Sequence, residues 1–238
     1  MQGQQSGRNL TQQLVHTLGE AIAAGRYRSG EGLPSEADLC DDHGISRSAT
    51  REAIKMLTAK GLITSRPRQG IRVQPREHWN LFDPDVLGWM LRGSPNLEML
   101  RDFSQLRLAI EKEAAALAAE CGDRARIDEI GAALQRMKEA EQGLCDPLEA
   151  DIAFHSNILR ATNNPFYIQL CSFIETALRV SIRFTNRLKG VESASHENHR
   201  KLYNAIARGN AAAARRACAT MQQETLDLIE KALEKKAA

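Results

Sequence analysis

Residues 34–73 read PSEADLCDDHGISRSATREAIKMLTAKGLITSRPRQGIRV, and this stretch decides the fold of the first part of the chain. Pro34-Ser35-Glu36 has the make-up of a helix start, with Ser35 as the N-cap of a helix over 36–43. Gly44 supplies a turn and Ser46 caps a second helix, in which Ala49, Ala53, Ile54 and Leu57 form the buried face. Gly61 closes that helix. Leu62-Ile63-Thr64 and Ile71-Arg72-Val73 are β-prone runs separated by SRPRQG, which predicts a two-stranded wing. Upstream, Leu10, Leu14, Leu18 and Ile22 recur at spacings of four and predict an amphipathic helix over 10–24. Gly25 and the turn at 28–32 end it. Three helices and a hairpin make a winged helix-turn-helix.

Charge supports a function for this unit. From Gly44 to Arg76 the basic residues are Arg47, Arg51, Lys55, Lys60, Arg66, Arg68, Arg72 and Arg76, against Glu52 alone, in a chain whose formal charge is only +2. A basic segment of this density is the footprint of a phosphate-binding surface. A recognition helix presents its first turns to base edges in the major groove. Arg47 and Arg51 lie four apart on one face there, and a guanidinium can donate two parallel bonds to guanine. Ser48 and Thr50 suit phosphate oxygens, Ser35 and Ser46 stand at the two helix starts, and Arg68 with Gly70 forms a wing tip that can approach the minor groove. The partner expected is double-stranded DNA.

Beyond this unit the pattern changes. Residues 75–95, PREHWNLFDPDVLGWMLRGSP, carry both tryptophans and three prolines and read as a linker packing its aromatics against a neighbour, with a short helix over 83–91. From Asn96 onward the chain reads as helix after helix, near 96–121, 123–142, 146–162, 164–188, 192–208 and 210–236, with glycine, asparagine or proline at the breaks. The fold class expected is mainly α, with a winged domain over 1–75, a linker over 76–95 and an all-α effector-binding and dimerisation domain over 96–238. The five cysteines are scattered with no C-x-x-C pair, which fits reduced thiols in a cytoplasm. No apolar run reaches the roughly 20 residues that span a bilayer, so no membrane partner is expected.

PSEADL, GISRSATREAIKML, GLI and RQGIRV, in this order over about residues 10–75, resemble the DNA-binding domain of GntR-type bacterial transcription regulators. One position departs: the family often carries arginine after the PSE glutamate, and Ala37 stands there. The helical half resembles the FCD ligand-binding domain of the FadR branch, through Arg107–Ala115, Asp151-Ile-Ala-Phe-His155, Asn164-Pro165 and Asn198-His199-Arg200. The segment WNLFDPDVLGWML is most like that of FadR-type regulators of sugar-acid catabolism, galactonate-responsive repressors among them.

Asp151 and His155 are four apart and point from one helix face into the same space. Carboxylate and imidazole together suit Zn²⁺ or a similar divalent ion, and equally a helix-surface pair or a buried hydrogen bond. The resemblance implies two further histidines. His199 matches the first, while the position of the second falls on Met221, leaving Glu224 or His196 as substitutes. Arg107, on an otherwise apolar helix, needs an anion: Glu111 on the following turn, or the carboxylate of an effector. Glu111, Asn164, Arg179 and Arg183, with Asn186 and Arg187, are the further effector-site candidates.

The reading is a homodimeric repressor of a catabolic operon, bound to a near-palindromic operator and released by a small carboxylic or sugar acid. No catalytic residue is assigned. Two rivals are a metal-dependent hydrolase built on Asp151, His155 and His199 with a bound water, and an architectural DNA binder whose helical half takes no ligand.

Overall fold

The computed structural model describes residues 2–92, 96–190 and 195–237. The chain divides into two compact units, 1–92 and 93–238. The first contains α1 (Gln2–Ala23), α2 (Glu36–His43), α3 (Arg47–Ala59), β1 (Ile63–Arg66), β2 (Gly70–Val73), a 3₁₀ turn at Arg76–His78 and α4 (Pro84–Met90). α2 starts at a reciprocal capping box: the Ser35 hydroxyl accepts from the Asp38 amide, and the Asp38 carboxylate accepts from the Ser35 amide. It ends at Gly44, whose φ of 60° is left-handed. Leu14, Leu18 and Ile22 of α1 meet Leu39, Ala53, Ile54, Leu57, Ile63, Ile71 and Val73 in one core.

The wing is antiparallel, with Ile63 opposite Val73 and Arg66 opposite Gly70. Its inner edge has an additional partner. Gly30 N donates to Val73 O, Val73 N to Glu31 O, and Leu33 N to Ile71 O, so the segment expected to be only a turn also pairs with β2. Gly-rich composition hid this, because backbone pairing leaves no side-chain period to read.

The aromatic segment is where expectation and structure part. Trp79 and Trp89 are buried in the first unit's own core, beside Leu62 and Val86. Through residue 92 the segment read as a linker is therefore part of the winged unit. Gly93-Ser94-Pro95, the remainder of that stretch, lie outside the described residues.

The second unit comprises α5 (Leu97–Cys121), α6 (Arg124–Ala140), α7 (Pro147–Ala161), α8 (Pro165–Gln169), α9 (Cys171–Lys189), α10 (His196–Ala207) and α11 (Ala211–Ala237). No strand occurs here among the described residues. Asn96, Asp123, Asp146, Asn164 and Ser195 cap these helices, each accepting from the first helical turn. The helix expected over 164–188 is two, separated at Leu170. Leu170 keeps helical angles, but its amide bonds Tyr167 O in a tightened 3₁₀ turn. α5 packs along α11, α7 against α5, α6 and α9, and α10 against α6 and α11. The start of the helix expected at 192–208 falls partly outside the described residues.

Candidate functional site

In the first unit, Arg47 and Arg51 are exposed on the opening turns of α3. Arg51 Nε donates to Glu36 Oε2 at 3.0 Å, which ties the side chain to the start of α2. Ser46 caps α3 by accepting from the Ala49 amide and lies 3.0 Å from the Ser48 hydroxyl, so both exposed hydroxyls stand at the helix N-terminus. The positive end of the helix dipole favours phosphate there. Ser35 is exposed at the α2 cap. Arg68 sits at the wing tip with φ of 65°, followed by Gly70 at 72°. A side chain in the left-handed region is uncommon outside glycine, asparagine and aspartate, and here it projects a guanidinium from an exposed turn.

Thr50 corrects the expectation. It is 0% exposed; its hydroxyl donates to Ser46 O and lies 3.1 Å from the Cys40 thiol. It locks α2 against α3 and does not face phosphate. Lys60 is also withdrawn from the basic surface, since its ammonium bonds Asp83 and Asp85. Ala37 is exposed on the first turn of α2.

In the second unit, α5, α7, α10 and α11 converge on a buried polar centre. Arg107 and Glu111 come from α5, Asp151 and His155 from α7, His199 from α10 and Gln222 from α11, and all six are at most 5% exposed. Glu111 Oε1 accepts from Arg107 Nε at 2.5 Å, and Oε2 accepts from Gln222 Nε2 at 2.7 Å. His155 Nδ1 lies 2.8 Å from the same Oε2. Arg107 Nη2 lies 3.1 Å from His155 Nε2, and a guanidinium has only hydrogens to offer. His199 Nδ1 lies 2.8 Å from Ser195 O, an acceptor, so that nitrogen carries a proton and, in the neutral ring, Nε2 is the acceptor.

The consequence is a convergence of acceptors. Both histidine Nε2 atoms lie 3.3 Å from Asp151 Oδ1. Neither Asp151 Oδ1 nor His199 Nε2 has a hydrogen-bond partner. Buried acceptors facing one another require a cation or proton between them. Electrostatics agree. Burial pushes the Asp151 carboxyl up, but the facing His155 and His199 rings hold it far below the usual range. Burial likewise opposes ionisation of Glu111, and Arg107 and His155 outweigh it, lowering it to about 2. For His155 burial pulls down most strongly, but the Glu111 and Asp151 carboxylates together raise it, and the net direction is up.

The residues suit a divalent ion. Ligand bonds of about 2.0–2.2 Å in a tetrahedral set place neighbouring ligand atoms about 3.4 Å apart, close to the two 3.3 Å separations. One ligand atom from each of Asp151, His155 and His199 falls within a 4.8 Å circle. The centre borders a cavity of about 50 Å³, lined also by Asn186, Ser195, Asn198, Met221, Glu224 and Thr225. A water takes about 10–15 Å³ on this measure, so the cavity has room for an ion with a few waters or a carboxylate.

Other candidates are placed elsewhere. Asn164 Oδ1 caps α8, Arg179 ion-pairs with Glu149, and Arg183 is exposed; none of the three lines the cavity. Arg187 is exposed as well, whereas Asn186 does line the cavity. Glu111 is the anion that Arg107 meets, the first of the two partners considered for it. Met221 lines the cavity, as does Glu224, which accepts from Asn198 Nδ2. His196 lies outside that lining. Gln222 was not anticipated; a glutamine one residue after Met221 carries no signal until α11 is laid against α5.

Comparison with known proteins agrees with both units. Residues 10–73 match the bacterial regulatory proteins of the gntR family, and residues 102–236 match the FCD domain. The Galactonate operon transcriptional repressor of Escherichia coli (strain K12) is 34% identical over 216 residues, covering 90% of this chain and 93% of that protein. The HTH-type transcriptional regulator LutR of Bacillus subtilis (strain 168) is 28% identical, covering 81% and 89%. A solved structure of Lar, which controls the Listeria monocytogenes agr system, aligns with a TM-score of 0.60 at 19% identity, covering 93% and 96%. These families and relatives are transcriptional regulators, which removes the enzyme alternative. The chain belongs to the GntR family of bacterial transcription regulators, in the branch that joins a winged helix-turn-helix to an FCD domain.

Proposed function

We propose that this regulator is a homodimeric repressor, released from a near-palindromic operator when a small sugar acid enters the centre between α5, α7, α10 and α11 beside a divalent ion such as Zn²⁺. The observation that carries the reading is the convergence of Asp151 Oδ1 with two imidazole nitrogens next to the Arg107 guanidinium. Asp151, His155 and His199 would hold the ion, which supplies a fixed positive charge for carboxylate and hydroxyl oxygens. Charge balance then favours an acid. The buried charges Arg107, Glu111 and Asp151 sum to one net negative charge, which a divalent ion reverses, while Glu224 on the cavity wall is exposed to solvent. A carboxylate neutralises the excess, whereas an uncharged sugar does not. Beside Ile182, Met221 and Glu224, the cavity's lining offers amides and hydroxyls, Asn186, Asn198, Ser195 and Thr225, suited to the hydroxyls of a sugar acid.

The galactonate operon repressor among the relatives makes D-galactonate the first acid to test. Arg47 and Arg51 are proposed to read base edges, with Ser46, Ser48 and Arg68 on phosphate or the adjacent groove. Two such surfaces related by a dimer's two-fold axis would call for a near-palindromic site. Gel-shift titration of genomic operator DNA with D-galactonate, D-gluconate and smaller hydroxy acids should show release by at least one of them, and light scattering should give twice the chain mass. Unchanged operator affinity and unchanged Tm with every acid, in Zn²⁺-loaded protein, sinks the sensor reading.

A further inference from the structure

We propose that Arg107 stands in for the metal in the ion-free protein, and that an ion taking His155 Nε2 releases the guanidinium to hold the acid's carboxylate. The inference rests on the reading of Asp151, His155 and His199 as a metal centre. Arg107 Nη2, 3.1 Å from His155 Nε2, consumes the lone pair that an ion needs. That nitrogen is also 3.3 Å from Asp151 Oδ1, so the guanidinium supplies positive charge at the edge of the acceptor cluster. Glu111 anchors the guanidinium: Nε meets Oε1 at 2.5 Å and Nη2 meets Oε2 at 3.3 Å, the oxygen that Gln222 holds at 2.7 Å. Nη2 carries two hydrogens, so the one on His155 can be given up while the other keeps Glu111, without moving α5. Arg107 also lines the cavity, so the freed donor faces the space an acid would enter.

Ion and acid then bind cooperatively, because each favours the arrangement in which Arg107 has left His155, and the coupling is reciprocal. The sign of the effect separates this role from simple support of the site. If Arg107 merely braced His155, its removal would weaken ion binding. As a stand-in it competes with the ion, so its removal strengthens binding.

Zn²⁺ affinity of the full chain, measured against a chromophoric chelator at fixed pH, decides between them. Asp151→Ala should bind at least about a hundredfold more weakly than the parent, and Arg107→Gln about tenfold more tightly. Arg107→Met with Glu111→Gln removes both buried charges together, leaves an acceptor for His155 Nδ1 and guards against misfolding of the single variant; it too should bind at least as tightly as the parent. Weaker binding by Arg107→Gln, or by the double variant where the single one does not fold, overturns the inference while Asp151→Ala remains deficient. A parent that binds Zn²⁺ no better than Asp151→Ala overturns the metal centre, and this inference with it.

Discussion

Glu111 is 1% exposed between a guanidinium, an amide and an imidazole, and its two oxygens divide the work. Oε1 takes Arg107 Nε, while Oε2 takes the Gln222 amide and, more loosely, Arg107 Nη2, and faces His155 Nδ1. Since a carboxylate only accepts, the Gln222 NH₂ must point at it. Gln222→Met keeps the volume and removes that donor. Hydrogen bonds to charged groups contribute about 1.5–3 kcal/mol, so a loss in this range is expected in urea unfolding of the ion-free protein. Met221 calls for the reverse experiment, since it lines the cavity occupied on other sides by the three candidate ligands. Met221→His should tighten Zn²⁺ binding by about tenfold or more by offering a fourth nitrogen, measured by chelator competition. Asp151 and His155 were legible from their i, i+4 spacing. The partnership of Gln222 with Glu111 was not, because it joins residues 111 positions apart through packing of α11 on α5.

At the scale of elements, α4 is held on the winged unit by charge and by shape. Lys60, at the C-cap of α3, bonds both carboxylates of the Asp83 cap and Asp85, and its ammonium lies 5.7 Å from the Trp89 ring centroid. Trp89 Nε1 donates to His16 Nδ1 at 2.8 Å, and the ring lies over Gly19, where an added Cβ would meet it at 2.3 Å. Gly19→Ala therefore drives Trp89 off α1 even though alanine favours the helix itself. The expected outcome is a lower Tm, with overpacking costing about 1–3 kcal/mol, and a red-shifted tryptophan emission. An unchanged spectrum with unchanged Tm contradicts the packing of α4 on α1. The sequence announced the short helix through Asp83-Pro84 and the burial of aromatics through their density. It did not announce the partner, because neither Gly19 nor His16 marks a docking surface in a helix whose apolar period runs through Leu10, Leu14, Leu18 and Ile22. The α2–turn–α3 reading, by contrast, needed only local signals: the Ser35 and Ser46 caps, Gly44 in its left-handed turn and the stripe from Ala53 to Leu57.

At the scale of the molecule, an acid bound in the FCD unit can alter operator affinity only through a coupling free energy, and that coupling is the same read from either site. A divalent ion that completes the acid's site enters the cycle without touching DNA. Chelation should therefore leave the operator affinity of the acid-free protein within about twofold, since Arg47, Arg51 and Arg68 belong to a separate compact unit. The same chelation should raise the acid concentration that half-releases the operator by about tenfold or more. Asp151→Ala should reproduce the chelated behaviour with Zn²⁺ present, and added Zn²⁺ should restore the chelated parent but not the variant. Gel shifts over an acid titration measure all four states on one operator fragment. Salt concentration must be held fixed throughout, because phosphate contacts make operator affinity fall steeply with salt and would otherwise mimic release. If chelation weakens operator binding in the absence of acid, the ion supports the fold of the FCD unit or the dimer, and its place in acid sensing is lost.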